Sequence, residues 1–405
     1  MRAFERFLDY VTYDTTSDEN APGSVCPSTQ KQLVLADRLA EEMKCLGFED
    51  VRRDEFGYVY GFLAPNCGGK HPVIGLISHM DTSSSAKGDG IKPRIVENYA
   101  DGDIVLNEKN QIFLRPSQFP CLEECRGEDL IVTDGTTLLG ADDKAGVAEI
   151  LTAAELIRKS NVPHGKIAVA FTPDEEIGRG TDHFDLKAFG ADFAYTVDGG
   201  RLGELEYENF NAASAVLTVR GAATHPGDAK NKMRNAVLLG IEFNAMLPPA
   251  ETPEHTEGYE GFYHLLHFEG CEEKAELHYI VRDHDRGKFE ARKAYLRRTA
   301  DYLNEKHGAG TFELKQKDQY YNMKSVIEQH MEIVERAERA MRECGVEPKT
   351  VPIRGGTDGA MLSYKGLPCP NLPTGGYNYH SRFEFIPVQA MDKMAEILAA
   401  LVRAQ

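Results

Sequence analysis

The sequence predicts an α/β protein built around a parallel sheet. Three short apolar runs are rich in β-branched residues, which is typical of strands buried on both faces of such a sheet. These runs are residues 73–78, 167–172 and 193–197. A helical pattern over 145–157 separates the first two of them. Because strand and helix alternate, we expect helices layered against the sheet.

A second, smaller α+β domain is predicted to interrupt the first. Between residues 212 and 318 the pattern changes to the order β-α-β-β-α-β, which is the ferredoxin-like arrangement. The helix predicted next would return the chain to the first domain. We therefore expect a discontinuous first domain, residues 1–211 and 319–405, and an inserted domain, residues 212–318.

The other elements follow from local patterns. The chain begins with two predicted helices, the second over 32–46 and ended by Gly47, and a strand pair follows. Residues 88–129, rich in Gly, Pro and isolated β pairs, are expected to form a β excursion at the surface. The later elements are predicted as strands at 215–219, 263–268, 275–281 and 311–315 and as helices at 232–246, 288–305 and 325–344.

Composition excludes several classes of partner. The 405 residues include 46 Lys and Arg against 64 Asp and Glu, a net charge of −18. Nucleic-acid binding and docking on anionic lipid both need a basic face, so neither is expected. Apolar runs are too short to span a membrane, and the N-terminus does not resemble a secretory signal. The eight Cys are too sparse for a disulfide framework, so we expect a reduced, cytoplasmic protein.

Imidazole and carboxylate side chains follow the predicted strands or open the predicted helix. They are His79, Asp81, Asp142, Glu175, Glu176 and Asp198, and His380 comes later in the chain. In open α/β sheets the carboxyl ends of the strands form the ligand-binding edge. A donor set of imidazole and carboxylate without thiolate suits Zn, Co or Mn. Taken singly, each residue also fits a plainer role, such as a helix N-cap for Asp142 or a solvated loop acid for Glu175.

The motifs together resemble the M20 metallopeptidase family. The matching segments occur in the family's order and span essentially the whole chain. They are Ser78-His79-Met80-Asp81, residues 139–146 around Asp142, residues 172–178 around Glu175, residues 196–200 around Asp198, and residues 354–359. The excursion at 88–129 and the segment at 225–233 are similar to those of the family's tripeptide aminopeptidases.

This resemblance implies a fold, a cofactor and a set of roles. The fold would be the zinc-peptidase α/β/α sandwich, with the inserted ferredoxin-like α+β domain acting as a lid or in dimerisation. Two zinc ions per subunit, replaceable by Co or Mn, would be held by His79 and Asp198, by Glu176 and His380, and by a bridging Asp142. Asp81 would orient His79, and Glu175 would be the general base. The peptide bond between Asp142 and Asp143 would be cis.

The implied reaction is release of the N-terminal residue from tripeptides by metal-activated water. His225 would stabilise the developing oxyanion, and Arg282 and Arg354 would bind the substrate carboxylate. The plainer alternatives are a solvated loop histidine and structural salt bridges. The competing activities are those of a dipeptidase, an N-acyl-amino-acid deacylase or a carboxypeptidase on the same scaffold. A non-catalytic metal-binding scaffold is the remaining alternative, and a homodimer is possible.

Overall fold

The contacts within the chain divide it into two units. The computed structural model describes residues 1–404. Unit 1 comprises Met1–Tyr207, Ser325–Val351 and Thr357 through the last described residue. Unit 2 comprises Glu208–Lys324 and the short segment Pro352–Gly356. The predicted domain boundaries at 212 and 318, and the lid role of the inserted domain, stay predictions.

Helices occur throughout both units. In chain order they are α1 (Ala3–Tyr10), α2 (Gln32–Cys45), α3 (Ala141–Lys159), α4 (Leu186–Phe189), α5 (Ala236–Ala245), α6 (Arg286–His307), α7 (Lys324–Ile327), α8 (Met331–Glu343), α9 (Asp358–Tyr364) and α10 (Val388–Leu401). None of the helices within residues 1–404 combines the length and the apolar character that crossing a membrane requires.

Strands form one large sheet in unit 1, one sheet in unit 2 and three smaller sheets. In chain order they are β1 (Glu49–Arg53), β2 (Val59–Leu63), β3 (Ile74–His79), β4 (Arg94–Val96), β5 (Ile104–Asn107), β6 (Ile112–Leu114), β7 (Leu130–Val132), β8 (Ile167–Thr172), β9 (Phe193–Gly199), β10 (Glu204–Leu205), β11 (Asn211–Arg220), β12 (Phe262–Gly270), β13 (Lys274–Asp283), β14 (Phe312–Tyr320), β15 (Lys349–Thr350), β16 (Asn371–Pro373) and β17 (Phe385–Pro387).

The large sheet of unit 1 has the strand order β1-β2-β8-β3-β9-β16. Its centre is parallel, because β3 pairs in parallel with both β8 and β9, and β16 joins β9 in parallel. The pairs β1–β2 and β2–β8 are antiparallel. The three apolar runs are therefore neighbouring parallel strands, as predicted, and β3 and β8 are buried along their whole length. Their carboxyl ends lie together at one edge.

Helices cover both faces of this sheet, as the predicted α/β/α layering requires. On one face, Phe189 of α4 and Leu362 of α9 pack in one core cluster with Ile77 and Ala170. On the other, α3 packs against β3 and β9 and α2 against β1 and β2, while α1 and α10 pack against α3. The long α3 begins at the sheet edge where β3 and β9 end, so its first turn lies beside them.

Unit 2 has the predicted ferredoxin-like order. Its four-stranded sheet runs β12-β13-β11-β14 with every pair antiparallel, and α5 and α6 pack on the same face of it. Side chains of β11 alternate, and those at 213, 215, 217 and 219 are buried. They form one core cluster with Phe243 of α5 and Leu296 of α6.

The excursion at 88–129 contains the short strands β4, β5 and β6, and β7 follows directly after it. Strand β4 pairs with β7, β7 pairs with β17, and β5 pairs with β6, all antiparallel. The cluster beneath them includes Leu114, Leu122 and Phe385. The excursion thus packs around β17, the strand that follows the segment carrying His380.

Two predicted helices differ from the structure. The segment at 325–344 is not one helix, because turns at Gln329 and His330 separate α7 from α8. The helix expected at 232–246 begins only at Ala236, since Asn235 caps it, residue 232 lies in a preceding turn and Arg234 pairs with Ala222.

Candidate metal centre

Two groups of potential metal ligands share one carboxylate. His79, Asp142 and Asp198 form the first group, and Asp142, Glu176 and His380 form the second. Within each group the ligand atoms lie within 4.8 Å of one another. In the first, His79 Nε2 is 2.9 Å from Asp142 Oδ1 and 3.4 Å from Asp198 Oδ1. In the second, His380 Nε2 is 3.0 Å from Asp142 Oδ2 and 2.8 Å from Glu176 Oε2.

The fold brings these side chains to the carboxyl edge of the large sheet. His79 is the last residue of β3, and Asp198 lies next to the last residue of β9. Glu175 and Glu176 form a short 3₁₀ turn just after β8. Asp142 lies in the first turn of α3. The sequence reasoning placed these residues at one sheet edge, and the structure brings them together there.

His79 is held in one orientation by Asp81. The imidazole is buried, and its Nδ1 lies 3.1 Å from the backbone oxygen of Asp81 and 3.4 Å from the carboxylate Oδ1. Nε2 therefore faces Asp142 and Asp198. Burial alone would lower the pKa of His79, but the charges of these carboxylates raise it well above its ordinary value.

Asp81 also has a second task that the sequence did not reveal. Its Oδ1 accepts the backbone N–H of Glu175 at 3.0 Å, and its Oδ2 accepts that of Glu176 at 3.2 Å. One fully buried carboxylate thus ties the end of β3 to the turn that carries both glutamates.

Asp142 and Asp143 face different partners. The peptide bond between them is cis. Burial would raise the pKa of Asp142, but hydrogen bonds from His380 and His79 bring it below its ordinary value. Asp143 belongs to neither ligand group and accepts the backbone N–H of His79 at 3.0 Å and the Ser78 hydroxyl. It therefore fixes the end of β3 against α3.

The second ligand group contains an acceptor that has no partner in the protein. Glu176 Oε2 faces His380, whereas Glu176 Oε1 is buried and has no hydrogen-bond partner among residues 1–404. Buried oxygens of this kind are rare, and a cation is one way to satisfy them. The donors are imidazole nitrogens and carboxylate oxygens without thiolate, so the residues present fit divalent Zn, Co or Mn.

The carboxylates are crowded, and their pKa values reflect it. Burial, reinforced by the charge of Asp142, raises the pKa of Glu176 to about 7 and that of Asp198 to about 6. Burial also raises the pKa of Glu175 well above its ordinary value. The hydrogen bonds that His380 donates to Asp142 and Glu176 raise its pKa to about 11. Positive charge between these groups would relieve the repulsion among them.

His380 is presented by a closed loop. The backbone groups of Tyr377 and Phe385 pair across its base, and their rings stack with centroids 4.8 Å apart. At the tip, His380 has a φ of +60°, a left-handed conformation that is uncommon for a residue with a side chain. The hydroxyl of Tyr379 donates to the backbone oxygen of Gly199 at 3.0 Å, which anchors the loop beside Asp198.

Glu384, at the base of this loop, was missed by sequence reasoning. Its carboxylate is buried and accepts the backbone N–H groups of Leu139, Gly140 and Asp142 at 2.7, 2.9 and 3.1 Å. Burial raises its pKa to about 7 in spite of these bonds. The one signal in the sequence is a single acid inside the apolar run from 383 to 388.

The three predicted substrate-binding residues all lie in unit 2. Arg282 and Arg354 are neighbours, with Arg282 Nη1 3.5 Å from the backbone oxygen of Arg354. Arg354 donates to the backbone oxygens of Thr256, Gly258 and Glu260, so its guanidinium already holds a loop in place. Arg282 Nε is buried and has no hydrogen-bond partner among residues 1–404.

His225 lies in a different turn of unit 2 from the two arginines. It precedes the 3₁₀ segment Pro226–Asp228, is exposed, and accepts the N–H of Gly227 through Nδ1 at 3.1 Å. Its Nε2 is left pointing away from that bond. The assignment of all three residues to substrate stays a prediction.

The chain is similar to curated proteins over almost its whole length. It is 56% identical over 402 residues to Peptidase T of Caldanaerobacter subterraneus subsp. tengcongensis, covering 99% of this chain and 98% of that one. It is 55% identical to Peptidase T of Halothermothrix orenii over the same shares. Such coverage means that both units described above have counterparts in these relatives.

Solved structures and a family profile agree with this likeness. Aminopeptidase PepT from Bacillus cereus superposes with a TM-score of 0.76 at 25% identity, covering 99% of this chain and 97% of that one. A tripeptidase from Staphylococcus aureus gives 0.78 at 22% identity over the same shares, which shows the same fold. The profile described as peptidase family M20/M25/M40 matches residues 134–404. Since the profile matches most of the chain and 98% of each curated relative is covered at 55–56% identity, the chain belongs to peptidase family M20/M25/M40.

Proposed function

We propose that this chain is a dinuclear metallo-aminopeptidase that releases the N-terminal residue from tripeptides. The observation that carries the proposal is the pair of ligand groups sharing Asp142, with Glu175 in the same turn as Glu176. The likeness to proteins named Peptidase T and tripeptidase supports the choice of substrate. The expected compartment is the cytoplasm.

The proposed metal is zinc, with two ions per subunit. His79 and Asp198 would hold one ion, Glu176 and His380 the other, and Asp142 both. A dinuclear metal-binding peptidase of family M20 from Bacillus subtilis has the same fold, with a TM-score of 0.64 at 13% identity. When bound, such a pair of ions lowers the pKa of water and polarises a carbonyl oxygen as a Lewis acid.

Glu175 is the proposed proton carrier. Its pKa is raised by burial, so the carboxylate is a stronger base than an ordinary glutamate and returns a proton more slowly to solvent. It takes the proton of the water that attacks the first peptide carbonyl, and it gives that proton to the leaving amine. Asp81 keeps Glu175 in place through the backbone N–H bond described above.

The developing oxyanion and the C-terminal carboxylate of the substrate would be recognised by side chains of unit 2. His225 has a free ring nitrogen to donate to a developing oxyanion, and the buried Nε of Arg282 is a donor without a partner among residues 1–404. Both donors would pair with negative charge on the peptide, at the oxyanion and at the C-terminal carboxylate. Arg354 supports this pair more indirectly, because its own donors hold the loop at 256–260.

Peptide length and a free amino terminus should decide which substrates are cleaved. Purified protein with added Zn²⁺ is incubated with unblocked di-, tri- and tetrapeptides and with N-acetylated tripeptides, and the products are identified by mass spectrometry. We expect release of the N-terminal residue from unblocked tripeptides, at least tenfold faster than from the other lengths, and no cleavage of acetylated peptides. Cleavage of acetylated peptides would favour a deacylase, and loss of the C-terminal residue would favour a carboxypeptidase.

A variant ties this activity to the site. Glu175→Gln keeps the shape of the side chain but removes the base, so it should lose at least 10³-fold in kcat while still binding two ions. Glu41→Gln, an exposed change on α2, is the matched control and should retain full activity. Substantial turnover by Glu175→Gln would refute the role given to Glu175.

A further inference from the structure

We propose that Glu384 is a positioning residue that selectively sets the affinity of the second ligand group, formed by Asp142, Glu176 and His380. The proposal rests on the metal ligands proposed above but not on the identity of the substrate. It concerns a residue that touches no reacting atom and acts through two ligands that come from distant parts of the chain.

Glu384 holds the segment that carries Asp142. Its Oε2 accepts the N–H groups of Leu139 and Gly140, and its Oε1 accepts that of Asp142 itself. The segment turns at Gly140, which has a φ of +79°, a conformation that glycine adopts without strain. Three backbone donors therefore converge on one buried carboxylate, and the position of the Asp142 backbone depends on it.

Glu384 also stands at the base of the loop that carries His380. It lies four residues after His380, and its neighbour Phe385 closes the base of the loop by pairing with Tyr377. Phe385 also starts β17, which pairs with β7, the strand directly after the excursion. The pairing of Phe385 with Tyr377 and of β17 with β7 thus fixes the backbone next to Glu384. The Glu384 side chain then joins the His380 loop to the Asp142 segment.

The first ligand group has supports of its own. His79 ends a central strand, and its backbone and ring are held by Asp143 and Asp81. Asp198 lies within β9, between β3 and β16. Within the described part of the chain, the side-chain bonds of Glu384 go to residues 139–142 and to neither of these ligands. Loss of the Glu384 contacts should therefore disturb the relation of Asp142 to His380 more than its relation to His79.

The substitution Glu384→Gln tests this directly. The amide keeps the volume but replaces one acceptor oxygen by an NH₂ donor, so at least one of the three N–H groups loses its partner. The chelated, metal-free chain is titrated with Co²⁺ by calorimetry and by visible absorption. We expect one cobalt to bind at least tenfold more weakly than in the unmodified chain, and the other to change by less than threefold.

Two reference variants identify the weakened position. His380→Ala removes a ligand of the second group, so the absorption of its single remaining cobalt should match that of Glu384→Gln loaded with one equivalent. Glu149→Gln changes another buried glutamate of unit 1 that lies on α3 away from both ligand groups. It should bind both cobalt ions within threefold of the unmodified chain.

Several results would overturn the proposal. In Glu384→Gln, these are an equal loss of cobalt affinity at both positions, or no loss at either. A third is an absorption spectrum of the variant with one cobalt that differs from that of His380→Ala. A purely structural role would instead lower the thermal midpoint of the metal-free chain without selectivity between the two ions. If Glu384→Gln does not fold, Glu384→Asp is used instead, because it keeps the carboxylate on a shorter side chain. It should weaken one cobalt at least tenfold and the other by less than threefold. Failure of the unmodified chain to bind two cobalt ions would remove the proposed metal centre itself.

Discussion

Glu149 is a buried titratable residue outside the candidate metal centre. It is fully buried on α3, and both of its carboxylate oxygens lack a hydrogen-bond partner among residues 1–404. Burial raises its pKa well above the ordinary value, and the charge of Asp392 adds to this. The folded chain therefore holds Glu149 protonated at pH values where the unfolded chain releases the proton.

The stability of the chain should depend on pH through Glu149. A carboxyl with a raised folded-state pKa contributes its full stability below the unfolded pKa, near 4.3, and loses it as pH rises toward the folded value. A difference of one between the folded and the unfolded pKa corresponds to about 1.4 kcal/mol of stability. Glu149→Gln cannot ionise, so its thermal midpoint relative to the unmodified chain should rise between pH 5 and pH 8. An equal difference at both pH values would contradict the buried, neutral state of Glu149.

At the residue scale, the sequence predicts the candidate metal ligands but not the residues whose side chains hydrogen-bond to the backbone. His79 and Asp198 after buried strands, and Asp142 at the start of α3, stand out because together they form a set of imidazole and carboxylate ligands at one sheet edge. Glu384 and Tyr379 do not stand out, because their partners are the backbone groups of residues 139–142 and of Gly199. Every residue has such groups, so they carry no signal of residue type.

At the scale of elements, the start of α5 is set by an N-cap residue that the helical pattern alone does not reveal. The helix predicted from the sequence starts at residue 232, yet the observed helix begins after Asn235. The side chain of Asn235 accepts the N–H groups of Val237 and Leu238 at 3.0 and 3.3 Å. Asn is among the preferred N-cap residues because it satisfies donors that the first turn leaves unpaired.

Removing this cap should loosen the start of α5. Asn235→Ala loses both bonds, which costs about 1 kcal/mol, so amide exchange of a peptide covering α5 should become roughly fivefold faster. Asn235→Asp retains an acceptor in the same place and should exchange at nearly the rate of the unmodified chain. Unchanged exchange in Asn235→Ala, measured by mass spectrometry, would mean that tertiary packing alone holds the helix start.

The break between α7 and α8 was not predictable from the same pattern. No Gly or Pro interrupts residues 324–344, and the apolar period continues across the break. The turn bonds from Gln329 to Val326 and from His330 to Ile327 replace helical bonds there. In contrast, β3, β8 and β9 were predictable, because few elements other than central parallel strands are short and buried on both faces.

For the whole molecule, the ligands divide unevenly between the two units. All five proposed metal ligands lie in unit 1, and the predicted substrate residues lie in unit 2. A ligand that binds only the folded state stabilises the part of the structure that holds it. Metal binding should therefore protect unit 1 selectively.

Amide exchange with and without Zn²⁺ checks this. Peptides from the start of α3 and from β9 should exchange at least tenfold more slowly with zinc, whereas those from α6 should be unchanged, and EDTA should reverse the effect. His380→Ala should show a smaller response at α3. Protection that is equal in α6 would contradict a metal centre confined to unit 1.

The overall architecture was largely predictable, and its strand order was not. The β-α-β-β-α-β order of unit 2 follows from local pattern, as does the alternation in unit 1. Strand β16 pairs with β9, although all of unit 2 lies between them in the sequence. A strand of three residues, Asn371–Pro373, is too short for its sequence pattern to predict this pairing.

That late pairing has a consequence for synthesis. On the ribosome, β9 emerges before all of unit 2, and β16 and His380 only near the end, on the order of ten seconds later. During that interval the β9 edge is unpaired, which is the condition under which nascent chains aggregate or recruit chaperones. The second ligand group also cannot form until His380 has been made. We therefore expect the proposed metal centre to be complete only after β16 and the His380 loop have been made.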